Sequence, residues 1–400
     1  MKHQFLIIFA GLLVCGNAFG QWVQKPDFGG NKRESLAGFC IGSKAYMGTG
    51  SDGQVYFKDF WEYDTTSGNW IQKADFGGTA RRCAIGFSIG TKGYMGLGCD
   101  ISGFANDFWE FDPETDGWSL KAPFPGPGRC ACVCFSLNGK GYMGTGYDGI
   151  FTYKDFWEYN PENNAWTQKA DFGGPPRLHA MAFTIGQKGF AGTGQYGYYN
   201  YKDFWEYDPA GDTWTQIADF GGAERAGSTG FSIGTKGYCG MGSSQSTFLR
   251  DFWAYDTLTL EWNQIEDFGG PGRWGAFGFS MGTKGYCGTG QGLQYYEDVW
   301  EYTPGEDTLD VNEINREVNI LLFPNPVTDK LTILKRGDMK DIEIKITDLL
   351  GRRRFAQHLP ANAATLDIET SQWGNGIYLF RAIHGGRIMK AEKIIVQRSE

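Results

Sequence analysis

Short apolar runs alternate with polar, glycine-rich turns along the first three quarters of the chain. In one unit, the apolar runs 37–41 and 45–48 flank the turn Gly42-Ser43-Lys44, and this pattern predicts a β-hairpin. A variable loop follows, then a third predicted strand at 60–63, a polar turn at 64–69 and a fourth strand at 70–73. The unit therefore reads as four short antiparallel strands.

This unit recurs along the chain. The segment DFWEYD at 59–64 returns in similar form from Asp107, Asp155, Asp203, Asp251 and Asp298, at four spacings of 48 residues and a last one of 47. A tryptophan and an arginine recur in the same phase, at Trp22, Trp70, Trp118, Trp166, Trp214 and Trp262, and at Arg33, Arg81, Arg129, Arg177, Arg225 and Arg273. Four strands repeated at this period are typical of the blades of a β-propeller.

The ends of the repeat predict how the ring closes. The sixth unit lacks its fourth strand because no tryptophan lies near position 310, whereas the segment from Gln21 begins QWVQK, a fourth strand without the other three. We expect the strand that holds Trp22 to complete the unit ending at Tyr302, which removes the exposed sheet edges. The prediction is an all-β fold, a six-bladed propeller over 21–303 closed by its N-terminal strand.

The order of motifs within each unit resembles the kelch repeat. An arginine precedes an apolar strand, then come Lys-Gly-Tyr-x-Gly-x-Gly, a variable loop, Asp-Phe-Trp-Glu-Tyr-Asp-Pro and a tryptophan. Kelch repeats usually have adjacent glycines where this chain has Gly-x-Gly, so the repeat is kelch-like. The resemblance covers 21–303 and implies a kelch-like β-propeller, a scaffold that carries many unrelated activities.

The chain after the repeat reads as an acidic linker, 304–317, and a small second domain, 318–400. Alternating apolar positions predict a small immunoglobulin-like β-sandwich, at Leu331/Ile333, Ile342/Ile344/Ile346, Ile377/Leu379 and Ile394/Val396. The segments LFPNPVTDKLTI, IKITDLLGRRRF and GIYLFRAIHGGRIMKAEKIIV resemble the type A C-terminal sorting domain of type IX secretion cargo. That resemblance implies recognition by the type IX secretion machinery of Bacteroidetes-type bacteria. The alternative is an ordinary immunoglobulin-like stalk domain.

The first 20 residues have the features of an export signal. Lys2 is followed by the apolar stretch Phe5–Val14, and Ala18-Phe19-Gly20 provides small residues before a cut between Gly20 and Gln21. No later segment approaches 18 uninterrupted apolar residues, so we expect no integral membrane span after signal removal. We expect the protein either to be secreted or to lie at the outer-membrane cell surface.

The charge of the predicted propeller and linker excludes one class of partner. Residues 21–317 contain 23 basic and 37 acidic residues, a net of −14, although the whole chain has a formal charge of −9. Nucleic-acid binding rests on a basic surface. We therefore expect no nucleic-acid partner.

Variable loops between the second and third strands carry the main candidates for ligand binding. Such loops share one face of a propeller with the connections between blades, and exposed aromatic clusters suit sugar or protein recognition. The candidates on this aromatic loop face are Tyr56, Phe104, Tyr147, Phe151, Tyr196, Tyr198, Tyr199, Phe248, Tyr295 and Tyr296. They predict a binding module for a glycan or a surface protein. The alternative is that these rings only cap the propeller.

The repeated arginines allow two interpretations. They could converge on an anionic ligand, or each could pair with an aspartate of a neighbouring motif, and their presence in every unit favours the pairing role. Some exported kelch propellers are sialic-acid mutarotases. A sugar-modifying enzyme of that kind is the alternative function, with Arg177, His179 and Arg225 as candidates. A structural part of a surface assembly is a third possibility.

No catalytic residue, cofactor or metal is predicted from the sequence. No motif identifies a catalytic residue, and the Gly-x-Gly pairs open no helix, which excludes a dinucleotide-binding interpretation. Cys130, Cys132 and Cys134 alternate as metal ligands on a strand could. However, Cys132 and Cys134 align with alanine or glycine in other repeats, which indicates packing positions.

Overall fold

The computed structural model describes residues 20–305, 319–336, 341–348, 352–360, 363–384 and 387–398. The predicted signal segment before Gly20 and most of the predicted linker lie outside the described residues. Every helix or strand assigned in the described ranges is a β-strand.

The strands between residues 21 and 303 form six four-stranded antiparallel sheets. Sheet I contains β2 (Ala37–Ile41), β3 (Lys44–Gly48), β4 (Phe60–Asp64) and β5 (Asn69–Lys73). Sheet II contains β6 (Ile85–Ile89), β7 (Lys92–Gly96), β10 (Phe108–Asp112) and β11 (Gly117–Leu120). Sheet III contains β12 (Val133–Leu137), β13 (Lys140–Gly144), β14 (Phe156–Asn160) and β15 (Ala165–Lys169). Sheet IV contains β16 (Met181–Ile185), β17 (Lys188–Gly192), β20 (Phe204–Asp208) and β21 (Thr213–Gln216).

Sheet V contains β22 (Thr229–Ile233), β23 (Lys236–Gly240), β26 (Phe252–Asp256) and β27 (Glu261–Ile265). Sheet VI contains β28 (Phe277–Met281), β29 (Lys284–Gly288), β30 (Val299–Thr303) and, from the other end of the repeat, β1 (Gln21–Lys25). In that sheet β1 pairs with β30, and Trp22 lies opposite Tyr302.

The first strands of the sheets are arranged in a closed cycle. β2 contacts β6, β6 contacts β12, and so on through β16, β22 and β28, which contacts β2 again. An axial cavity of about 190 Å³ is lined by residues from all six of these strands. Each sheet therefore presents its first strand to a common axis.

Small residues let neighbouring sheets approach. The phenyl ring of Phe39 lies directly over Gly93, where a Cβ atom would overlap the ring, and Phe87 covers Gly141 in the same way. Tryptophans fill the remaining space, as Trp118 of sheet II packs edge-on against Phe60 of sheet I with ring centroids 5.0 Å apart. Aromatic burial on this scale explains why the motif repeats so regularly.

The structure adds details to the predicted unit. The second, third and fourth strands of sheet I each extend one residue beyond the predicted bounds. Three variable loops contain short hairpins that the sequence pattern did not predict: β8 (Cys99–Asp100) with β9 (Gly103–Phe104), β18 (Gln195–Tyr196) with β19 (Tyr199–Asn200), and β24 (Ser243–Ser244) with β25 (Thr247–Phe248). Gly197 has a positive φ of 59° at one of these turns, a conformation that glycine adopts at low cost.

Residues 319–398 form two further antiparallel sheets around one core. The three-stranded sheet contains β31 (Asn319–Phe323), β32 (Lys330–Arg336) and β35 (Thr365–Glu369). The four-stranded sheet contains β33 (Ile342–Asp348), β34 (Arg353–Leu359), β36 (Gly376–His384) and β37 (Arg387–Val396).

The predicted inward positions lie in this core except in β36. There Tyr378, Phe380 and Ala382 are buried, whereas Ile377 is 40% exposed. The run is apolar on both faces, so alternation alone could not select the inner one.

Candidate functional site

The six repeated arginines form buried ion pairs within the protein. Every one is almost fully buried and pairs with the aspartate 25 or 26 residues later; the pairs are Arg33–Asp59, Arg81–Asp107, Arg129–Asp155, Arg177–Asp203, Arg225–Asp251 and Arg273–Asp298. In one pair, Arg177 Nη1 and Nη2 donate to the two carboxylate oxygens of Asp203 at 2.8 and 2.7 Å. Arg177 also donates to the Thr193 carbonyl at 2.8 Å. These contacts favour the pairing role over a ligand role.

The candidates Arg177 and Arg225 are thus fully buried inside the ring. The Arg225 guanidinium donates hydrogen bonds to Asp251 and to the Met241 carbonyl. The guanidiniums of Arg177 and Arg225 each lie over a phenylalanine ring. Neither is brought to a surface where a ligand could reach its charge.

One end of the axis is surrounded by a ring of backbone hydrogen bonds. Six equivalent residues, each two positions after a repeated arginine, donate N–H to the carbonyl of the previous member at 2.8–3.2 Å; they are Ser35, Cys83, Ala131, His179, Gly227 and Gly275. Ser35 donates to Gly275, so the ring is complete. All six have positive φ. We call this end of the ring, where the first strand of every sheet begins, the mouth.

His179 is the candidate that the structure brings to the mouth. Its imidazole packs edge-on against the indole of Trp274, with ring centroids 4.9 Å apart. Burial, with a smaller contribution from the positive charge of Arg82, lowers the pKa of His179 to about 4. The imidazole is therefore neutral at pH 7.

An ion pair lies at the mouth between sheets I and II. Arg82 Nη1 donates to the buried carboxylate of Glu34 at 3.0 Å, and Ser35 Oγ donates to the other oxygen of Glu34 at 2.5 Å. Burial raises the pKa of Glu34, while Ser35 and Arg82 act in the opposite direction. Arg82 Nε is buried without a hydrogen-bond partner among the described residues, although the side chain as a whole is 38% exposed. The exposed part of the guanidinium can bind an anionic group, whereas Nε is enclosed.

The variable loops begin at the mouth. The residue after each repeated arginine forms a backbone bridge with the first residues of the loop in the same sheet; the bridges are Glu34–Ser51, Arg82–Cys99, Cys130–Tyr147, Leu178–Gln195, Ala226–Ser243 and Trp274–Gln291. The loops and the connections between sheets therefore share one face, and the mouth lies at its centre.

The predicted aromatic residues divide into exposed and half-buried rings. Tyr198 is fully exposed, and Tyr199, Phe151, Tyr196 and Phe104 are exposed by 76%, 63%, 50% and 37%. The half-buried rings are Tyr56, Tyr147, Phe248, Tyr295 and Tyr296.

Some half-buried rings have partners inside the protein. Tyr296 covers the Arg273 guanidinium at 4.1 Å, and Phe104 meets Tyr147 edge-on at 5.9 Å. Burial, and then the charge of Glu34, raises the pKa of Tyr295, which lies beside the mouth. The structure thus brings Tyr196, Tyr198 and Tyr199 together on one hairpin and places the other aromatic residues on the loops of the other five sheets.

A groove lies beside that hairpin. It has a volume of about 570 Å³, and its lining residues include Tyr198, Tyr199, Lys202, Asp219 and Glu224. Aromatic faces next to hydrogen-bonding groups form the kind of surface that sugars and protein side chains bind.

Sequence reasoning missed Glu34, Arg82 and Trp274. All three occupy the position directly after a repeated arginine, where the six units carry Glu, Arg, Cys, Leu, Ala and Trp. Chemical variation at one phase of an otherwise regular repeat was the available signal. For metals, the described residues contain no cluster of three or more histidine, cysteine or acidic side chains arranged to hold an ion.

The comparisons with known proteins concern both parts of the chain. The family model described as "Secretion system C-terminal sorting domain" matches residues 321–397. The solved structure titled "Structure of YjhT" is similar with a TM-score of 0.63 at 17% identity, and the match covers 71% of this chain and 98% of that one. At this identity the likeness shows the fold, and it fits a kelch-type propeller. No curated protein matches the sequence.

The sorting domain determines where the protein acts. It directs the chain to export by type IX secretion, so the protein is secreted or attached to the cell surface. Across the described ranges, no helix is long and apolar enough to cross a bilayer.

Proposed function

We propose that this exported protein is a binding module that recognises a glycan on its aromatic loop face. In this proposal the six sheets are the blades of one kelch-like propeller closed by β1, and residues 318–400 are an immunoglobulin-like sorting domain. The observation that carries the proposal is the pair of exposed rings, Tyr198 and Tyr199, beside the groove of about 570 Å³.

The chemistry of the groove favours a glycan over a flat protein surface. Two adjacent tyrosines offer faces for the C–H groups of a sugar ring, and their hydroxyls remain available for hydrogen bonds. Lys202, Asp219 and Glu224 add charged groups of both signs, which can pair with sugar hydroxyls around one bound ring. A surface protein that docks on the same face is the other ligand class.

Glycan binding should depend on the exposed tyrosines. We expect the double variant Tyr198→Ala/Tyr199→Ala to weaken binding at least about tenfold, because exposed aromatic anchors dominate such contacts. The measurement is an array of neutral and acidic glycans, followed by calorimetry with the strongest binder.

Leu293→Ala provides the matched control, because Leu293 is almost fully exposed on the equivalent loop of sheet VI. Its affinity should equal that of the wild type. The glycan proposal fails if the array shows no binding, and the groove assignment fails if binding survives the double substitution.

The ion pair at the mouth supports a second candidate function, a sugar-modifying enzyme similar to the sialic-acid mutarotases. Arg82 would hold the carboxylate of an acidic sugar, and Glu34, whose pKa is raised by burial, would transfer the proton that ring opening requires. His179 would line the same site. Arg177 and Arg225 have no part in it because they are buried in their own ion pairs.

If the enzyme proposal holds, Arg82→Met and Glu34→Gln should each slow anomer exchange of N-acetylneuraminic acid about a hundredfold or more. Exchange is measured by NMR line intensities after dissolving a single anomer. Arg250→Met is the control, since Arg250 is exposed and pairs with Asp267 at 3.2 Å away from the mouth. Wild-type exchange no faster than in buffer would exclude this activity.

A further inference from the structure

Three cysteines meet at the mouth, between sheets II and III. Cys99 is bridged to Arg82 by backbone hydrogen bonds of 3.0 Å in both directions, which places it beside Cys83. The Gly98 N–H donates to the Arg129 carbonyl at 2.8 Å, so Cys99 and Cys130 flank a hydrogen bond that joins the two sheets. The Ala131 N–H donates to the Cys83 carbonyl at 3.2 Å, so the backbone also places Cys130 next to Cys83.

This cluster differs from the other cysteines of the ring. In the others, Cys40, Cys132, Cys134, Cys239 and Cys287, burial raises the pKa of the thiol. Cys99 is only half-buried, and hydrogen bonds from Cys130 and Cys83, together with Arg82, hold its pKa far below the ordinary range. A thiolate with access to solvent and a thiol beside it are the requirements for thiol–disulfide exchange.

We propose that Cys99 and Cys130 are an oxidisable pair, which a disulfide oxidant outside the cytoplasm converts into a cystine that links sheets II and III. The export signalled by the sorting domain takes the chain into compartments where disulfides persist. Cys83 remains a thiol. Cys130 is the partner because it lies directly across the sheet junction from Cys99, next to the hydrogen bond between the Gly98 N–H and the Arg129 carbonyl.

The cystine forms by thiol–disulfide exchange in two steps. The Cys99 thiolate attacks one sulfur of the oxidant's disulfide, forms a mixed disulfide and displaces the oxidant's other sulfur as a thiolate. Cys130 then loses its proton and attacks the Cys99 sulfur, which releases the second oxidant thiolate. The oxidant gains two electrons and ends as two thiols, and the two cysteines lose two electrons and their thiol protons.

The test uses the full mature chain, first reduced and then treated with oxidised glutathione. Remaining thiols are alkylated and the peptides are mapped by mass spectrometry without reduction. We expect a peptide that joins Cys99 to Cys130 with the loss of two hydrogen atoms, and alkylated Cys83. The absence of a linked peptide, or a link through Cys83, would overturn the proposal.

Matched variants test which thiols are required. Cys99→Ser and Cys130→Ala introduce residues that other repeats carry at these positions, Ser51 and Ala226, so both variants should fold. Each should abolish the linked peptide. Cys132→Ala, which also matches other repeats, should retain it, and its loss in that variant would contradict the assignment.

Discussion

Asp155→Ala should lower the free energy of unfolding by about 3–5 kcal/mol, because it leaves a buried charge without its partner. The Arg129 guanidinium is fully buried and donates to both carboxylate oxygens of Asp155. The same carboxylate accepts the indole N–H of Trp157 at 2.8 Å, so the substitution also removes the partner of a second donor. Chemical denaturation followed by tryptophan fluorescence measures the loss.

Asp171→Ala is the matched control within the same repeat. Asp171 faces Lys154 at 3.8 Å, and both side chains are about half exposed, at 48%. Exposed pairs of this kind contribute roughly 0–1 kcal/mol. Equal small losses in the two variants would show that the buried pair does not stabilise the fold.

The repeat made most of the ring predictable from sequence. Each unit carries its strands, turns and large aromatic residues at fixed phases, and local patterns of that kind determine a four-stranded sheet without long-range information. The missing strand after Tyr302 and the surplus strand at Trp22 also predicted which ends pair. The observed pairing of β1 with β30 agrees with this reasoning.

The candidate site was less predictable because its residues come from different repeats. Glu34 and Arg82 are 48 residues apart, and His179 meets Trp274 from two sheets farther along the chain. Only the closed ring brings such positions together. The repetition also made the site residues hard to recognise. The regular arginines form the obvious pattern, whereas the site residues lie one or two positions later, where the units differ.

The roles of Arg177 and Arg225 also depend on burial and contacts that only the structure gives. The sequence left two roles open for these guanidiniums, binding a ligand or pairing with an aspartate, and their presence in every unit favoured the second. Burial and the bidentate contacts with Asp203 and Asp251 favour the second role. The charge available to a ligand at the mouth then comes from Arg82, which occurs in one repeat only.

Deletion of residues 21–25 should destabilise the ring more than any single substitution discussed above. The deletion removes the outer strand of sheet VI and leaves β30 as an unpaired edge. It also removes Trp22, which packs within 5.0–6.4 Å of Phe231, Phe252, Phe268 and Tyr302 by ring centroids. We expect loss of the cooperative unfolding transition and association through the exposed edge, as measured by thermal denaturation and light scattering.

Three substitutions separate the contribution of the tryptophan from that of the strand. Trp22→Ala should cost about 3–5 kcal/mol, and so should Trp166→Ala, its equivalent inside sheet III. The Trp22 indole donates to the Glu266 carbonyl at 3.3 Å, and the Trp166 indole donates to the Ala122 carbonyl at 3.1 Å. Val23→Ala should change little, because Val23 is 42% exposed. A deletion that keeps a cooperative transition and a monomeric chain would mean that β1 does not close the ring in solution.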